Sequence, residues 1–186
     1  MNPLLLAKGD TALPPDADAP VTGVAASLTN PVVELVLATL ILVPVIVVHG
    51  WCLGQVSKSF SSRFALYTPE TPRWRVTTLT GITITTLVFI HLIETLLWTA
   101  PLLWLGIMDN FRDAYYYVLE AYTTLGEGTV ALPDQWRLIG PVIAISGLFT
   151  FGWTGSVLVY IMGQTGKLHA ERSKALARSS AAAREE

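Results

Sequence analysis

Three long apolar runs separated by polar stretches set the plan of this chain. Val32–Gly54, Val76–Leu105 and Leu138–Gly163 each approach or exceed the roughly 20 apolar residues that carry a helix across a bilayer. Asn30 can cap the first run, Pro31 suits its first helical position, and Pro44 should kink it. The second run is long enough to cross with tilt. Between the first two lies a polar connector, 55–75. Between the last two lies 106–137, too polar to span but holding a short amphipathic stretch. The pattern predicts an all-α membrane protein with three transmembrane helices and a shorter helix between the second and third. Its parts are an external N-terminal stretch (1–30) low in order, a peripheral helix (31–54), the connector (55–75), a paired-helix module (76–163) and a tail (164–186) read as a frayed helix.

Composition agrees with this plan. Of 186 residues, 52% are hydrophobic and 14% charged, unusually little charge for a soluble domain. A net charge of −2 gives no reason to expect nucleic acid, and a single cysteine, Cys52, rules out an intrachain disulfide framework. The N-terminus lacks a basic segment ahead of a sustained apolar run, so it does not read as a secretory signal. Basic residues near span ends orient the chain. Lys58, Arg63, Arg73 and Arg75 place the connector in the cytoplasm, and Lys167, Arg172, Lys174, Arg178 and Arg184 do the same for the tail. Segment 106–137 has only Arg112 and Arg137 beside five carboxylates and should face outward, with the N-terminus. Trp98, Trp104 and Trp136 would then mark the outer interface, and Trp51 and Trp74 the inner one.

The chemistry concentrates in Asp109–Arg137. Phe111–Thr123 would make a helix of about 20 Å, too short to cross. Asn110 can cap it, Asp113 suits its positive end, and its negative end would point toward the bilayer centre. Thr124-Leu125-Gly126-Glu127-Gly128 follows, with two glycines able to take backbone angles closed to other residues.

At this point the chain resembles the potassium-channel pore family, whose filter reads T-V-G-Y-G or close to it. Thr124, Leu125, Gly126 and Gly128 match by role, and the resemblance covers Val76–Gly163. It is similar to small bacterial ion-channel proteins with an extra N-terminal span, whose HLxExLxW and PxxWR…GxxxFGW segments match His91–Trp98 and Pro133–Trp153. The resemblance implies an outer helix (76–105), a pore helix (111–123), a filter (124–128) and an inner helix (138–163). It also implies a homotetramer, because four loops make one pore, in a bacterial plasma membrane. Filter carbonyls would replace the hydration shell of a permeant monovalent cation such as potassium. No cofactor, resident metal, nucleic acid or further protein partner is implied.

Glu127 departs from the pattern, standing where the family has an aromatic. Acidic residues there occur in nonselective relatives, so weak selectivity among monovalent cations is expected, with partial block by external calcium. The alternative is that Glu127 bonds behind the filter to Tyr115, Tyr116, Tyr117 or Tyr122 and leaves its geometry selective. Glu120 corresponds to a glutamate that some bacterial potassium channels pair with an aspartate, but that later position is Thr129 here. Glu120 therefore either shares a buried region with Glu127, where like charges favour protonation of one, or accepts bonds from filter amides. Thr123 and Thr129 flank the loop as support. Gly147 falls where the family has a gating hinge, although it and Gly152, Gly155 and Gly163 could serve close helix packing alone.

His91 and Glu94 lie one turn apart on one face of the second span. Ionisable groups in a membrane are functional candidates, and an interhelix bond orienting the pore helix or a pH response would each use them. Counted from the outer helix ends at about 1.5 Å per residue, His49 lies some 11 Å from Glu94 along the membrane normal, so no metal site is expected. The chain shows no arginine-periodic voltage sensor, no room in the tail for a ligand-sensing domain, and no Walker, zinc or triad motif, which points away from an enzyme. Besides a conducting channel, a channel-like subunit that serves a partner as a scaffold fits the same residues.

Overall fold

The computed structural model describes residues 30–185. Apart from Asn30, the expected N-terminal stretch 1–30 lies outside the described residues. The described residues are all-helical: α1 (Pro31–Phe64), α2 (Arg73–Trp104), α3 (Phe111–Thr123) and α4 (Ile139–Glu185), with a 3-10 turn, Asp134–Trp136, before α4. Among the described residues, three stretches are long and apolar enough to cross a membrane: Pro31–Phe64, Arg73–Trp104 and Asp134–Arg184, the last holding nearly all of α4. These features make the chain a membrane protein by length and composition. The 13 residues of α3 reach only about 20 Å.

Asn30 caps α1 as expected, accepting from the Val32 N–H at 2.9 Å, with Pro31 in the first turn. The far ends of α1 and α4 differ from expectation. α1 continues ten residues past Gly54, to Phe64, because 55–64 is polar without containing a helix breaker. Falling hydropathy marks where apolar sequence stops, not where a backbone stops coiling. α4 likewise runs unbroken through 164–185, where Ala, Lys, Arg and Glu all favour helix. At 47 residues it is about 70 Å long, over twice a hydrocarbon core. Its extension is anchored as far as Arg172. Leu168 and Thr165 are buried, and the Arg172 guanidinium donates to the carbonyls of Pro69, at 2.8 Å, and Thr71 in the turn between α1 and α2.

α1 packs against α2 and α4, and α3 sits between α2 and α4. The interior has three layers. Ala38, Val45, Trp98, Leu102, Val118, Trp136, Ile139 and Ile143 form one apolar layer. Leu53, Phe60, Leu79, Leu87, Ile90 and Ile161 form another, on the side toward the α1–α2 turn. Between them lies a polar layer from all four helices: His49, His91, Glu94, Tyr122, Thr150 and Thr154. Trp98 and Trp136 are fully buried, so they are core residues and not the interfacial belt expected of them. Trp104, Trp51 and Trp74 are exposed, at 87%, 66% and 64%.

A carboxylate fastens the start of α4. Glu34, 2% exposed, accepts from the backbone N–H groups of Leu138 and Ile139. Those amides have no partner within their own helix, and a carboxylate suits the positive helix end.

Candidate functional site

Two sites meet at the C-terminal end of α3. Asn110 caps that helix, accepting from the Arg112 N–H at 2.9 Å, and Asp113 occupies its first turn. Ala114, Val118 and Tyr122 are buried at intervals of four, one face of a helix. The helix stops in a Schellman pattern: Leu125 N–H donates to the Glu120 carbonyl and Thr124 N–H to that of Ala121. Thr124 takes the left-handed position, φ 58°, usually held by glycine. A β-branched residue there is strained by about 1–2 kcal/mol, and such strain collects at functional sites.

Gly126 and Gly128 then also have positive φ, 61° and 71°, while Leu125 and Glu127 do not. Alternation of backbone hand turns successive peptide planes to the same side, so a run of carbonyls can face one way and the amides the other. One of those amides, Glu127 N–H, donates to the Glu120 carboxylate of α3 at 3.1 Å. The Glu127 carboxylate accepts from the Tyr116 hydroxyl at 3.0 Å. Of the tyrosines named as possible partners, Tyr116 is the one in contact. Of the two readings of Glu120, acceptance from a loop amide is the arrangement seen. Residues 124–129 are exposed, and Thr123 turns its hydroxyl back on the Leu119 carbonyl. Thr129 makes no bond to Glu120 among the described contacts. A cavity of about 280 Å³ lies between α3, the loop and the first turns of α4. Gly147 has a packing role: a Cβ there would collide with the Tyr122 carbonyl oxygen, so glycine lets α3 and α4 touch.

Comparison with protein-family models, curated proteins and solved structures returns no match.

The second site is the buried polar layer, and here the depth estimate for His49 fails. His49 Nδ1 lies 2.5 Å from Glu94 Oε1, not some 11 Å away. Roughly five turns separate His49 from the start of α1, and roughly three separate Glu94 from the end of α2. For the two to meet, α1 must begin about two turns, or ~12 Å, beyond the end of α2. The estimate assumed level ends.

His91 shares the carboxylate, its Nδ1 being 3.6 Å from Glu94 Oε2. Tyr122 donates to that oxygen at 2.6 Å, and its hydroxyl lies 2.6 Å from Thr150 Oγ1 and 2.9 Å from His91 Nδ1. Thr154 Oγ1 is 3.1 Å from His91 Nε2 and 3.3 Å from His49 Nε2. His49, Thr154, His91, Tyr122 and Glu94 thus close a ring of five links. If each group carries one proton, every link holds one donor and one acceptor, and the ring as a whole is neutral. An interhelix bond to α3 was expected here. Tyr122, Thr150 and Thr154 were not identified as its members. Ser146, Thr150 and Thr154 recur at intervals of four along an apolar helix, a stripe that could have revealed them. Glu34, a lone carboxylate near the start of an apolar helix, was also legible and overlooked.

Proposed function

We propose that this chain is one subunit of a tetrameric channel for monovalent cations, with residues 124–128 as one quarter of its filter. The observation that carries the reading is the positive φ at every second residue, Thr124, Gly126 and Gly128. This backbone directly follows a helix too short to span and joins two that are long enough. It offers carbonyl oxygens as substitutes for a cation's water shell, and the negative end of α3 adds a favourable field. Exposed loop amides and carbonyls inside a bilayer need partners, which a four-fold assembly around a wet axis supplies.

Thr124, Leu125, Gly126, Glu127 and Gly128 line the pathway in this reading, with Glu120 holding the loop from behind. Selectivity among monovalent cations is weak, because Glu127 is tied by Tyr116 through one hydrogen bond where a packed aromatic would brace the loop. Four carboxylates near one mouth also attract calcium, giving partial block. The turn between α1 and α2 and the end of α4 face the cytoplasm of a bacterial cell, following the basic residues.

The test is cation flux and reversal potential in liposomes holding purified protein, beside Gly126→Ala, with mass determined in detergent. Flux that Gly126→Ala abolishes, carried by a tetramer, is expected. A monomer as the only species overturns the assembly. A tetramer with no flux leaves a channel-like scaffold in place of a channel.

A further inference from the structure

We propose that His49, His91, Glu94 and Tyr122 form a binding site for one divalent transition-metal ion, of the Zn²⁺ or Co²⁺ class, inside each subunit. A nitrogen of each histidine and a carboxylate oxygen of Glu94 can be chosen that all lie within 4.8 Å of one another. The Tyr122 hydroxyl stands at the same centre, 2.6 Å from Glu94 Oε2 and 2.9 Å from His91 Nδ1. That is a four-donor set of imidazole, carboxylate and phenol, which suits a borderline metal over calcium or magnesium. A tetrahedral ion with ligands about 2.0–2.2 Å away needs donor atoms roughly 3.3 Å apart. The present contacts, from 2.5 to 3.6 Å within a 4.8 Å limit, bracket that value, so side-chain adjustment at the centre is what an entering ion requires.

The surroundings of the histidines distinguish this group from a chance cluster. Both point Nδ1 at the Glu94–Tyr122 centre, and both rest Nε2 on the same Thr154 hydroxyl. Metal-bound histidines need their outer nitrogen held in this way, as an N–H donor to a fixed acceptor, and one hydroxyl oxygen has two lone pairs for the two of them. Thr150 Oγ1, 2.6 Å from the Tyr122 oxygen, is placed to donate to that oxygen once it is a ligand. His91 retains slight exposure, 12% of its side chain, which gives a way in.

The proton balance works without adding charge to a buried place. In the neutral form of the ring, Glu94 and His49 share one proton and Tyr122 carries another. A divalent ion bound by the Glu94 carboxylate, the Tyr122 phenolate and two neutral imidazoles displaces both. One M²⁺ enters, two H⁺ leave, and the centre stays neutral, as a low-dielectric interior demands. Tyr122 is two residues before Thr124 and its carbonyl abuts Gly147, so an ion here would fix the base of the loop against α4. The binding claim itself does not depend on the channel reading.

The experiment uses tag-free full-length protein in detergent, freed of metal by chelator, loaded with Zn²⁺ or Co²⁺ and freed of excess. One metal per chain, about two protons released per metal, and the visible absorption of four-coordinate Co²⁺ are expected. Thr154→Val, which removes only the outer support, should weaken affinity roughly 10–100-fold. Glu94→Gln should weaken it more, and His169→Ala, on the exposed far part of α4, should leave it unchanged. Wild-type protein holding less than about a tenth of an equivalent overturns the site, and so does proton release near zero. If Glu94→Gln does not fold, wild type and Thr154→Val decide. Wild-type affinity in Thr154→Val overturns the proposal.

Discussion

Tyr122→Phe isolates what the polar ring contributes to holding α3. The ring of Tyr122 packs against Phe151 and His91, at centroid distances of 5.3 and 6.1 Å, and phenylalanine keeps those contacts. Only the hydroxyl goes. Its three close partners are Glu94 Oε2 and Thr150 Oγ1 at 2.6 Å and His91 Nδ1 at 2.9 Å. Thr150 is compensated, since it also bonds to the carbonyls of Ser146 and Gly147. Glu94 Oε2 and His91 Nδ1 are not; the distance between them, 3.6 Å, is too long for a hydrogen bond. Two buried groups are therefore orphaned. Each costs about 1–3 kcal/mol in a protein interior, and single membrane hydrogen bonds measure nearer 0.6–1.7 kcal/mol. Weighting toward the membrane values gives a loss of about 2–3 kcal/mol, roughly 30- to 150-fold in the unfolding equilibrium. The assay is reversible unfolding by SDS in mixed micelles with chelator present, followed by tryptophan fluorescence. Tyr160→Phe is the control, because Tyr160 is 43% exposed and, among the described residues, its hydroxyl bonds only to Ser61, at 3.0 Å; it should cost under about 0.5 kcal/mol. If Tyr122→Phe falls within that same margin of wild type, the ring does not hold α3 and the reasoning is wrong.

Glu34→Ala should destabilise the start of α4 by about 1–3 kcal/mol and Glu34→Gln, whose amide oxygen still accepts, by less. Hydrogen exchange at Leu138 and Ile139 measures both, and unchanged protection in Glu34→Ala refutes the capping role. Gly147→Ala should cost about 1–3 kcal/mol by overpacking, since the atom in its way is backbone and cannot rotate aside; an unchanged melting temperature would contradict this. Arg172→Ala should speed exchange in 65–72 and along α4 near 165–172, and identical exchange would show that the turn holds α4 without the guanidinium. Within the channel reading, Tyr116→Phe should deepen calcium block by freeing the Glu127 carboxylate, and Glu127→Tyr should shift reversal potentials toward potassium; currents unchanged by both place Glu127 outside the ion path.

The helices and much of their capping were legible because their causes are local. Asn30-Pro31 and Asn110 act within a turn of themselves, and 111–123 was bounded correctly by a cap before it and a Gly-containing run after it. Where local hydropathy stood in for helix propensity, the ends of α1 and α4 were misjudged. The loop was legible as a place where the backbone must do something unusual, since two glycines flank Glu127. That Thr124 would join them at positive φ was not, because nothing in a threonine asks for that conformation; the Schellman bonds to Glu120 and Ala121 impose it. The polar ring belongs almost wholly to tertiary structure. Spacing put His91 beside Glu94, since both lie on one helix. Whether His49 reaches them depends on how far α1 slides past α2. That offset is set by interhelix packing: Glu34 docking on the start of α4, and core residues such as Ala38 and Trp98. Periodicity reports which face of a helix turns inward. It carries no information on the height at which two helices meet, and that height decides which side chains share a centre.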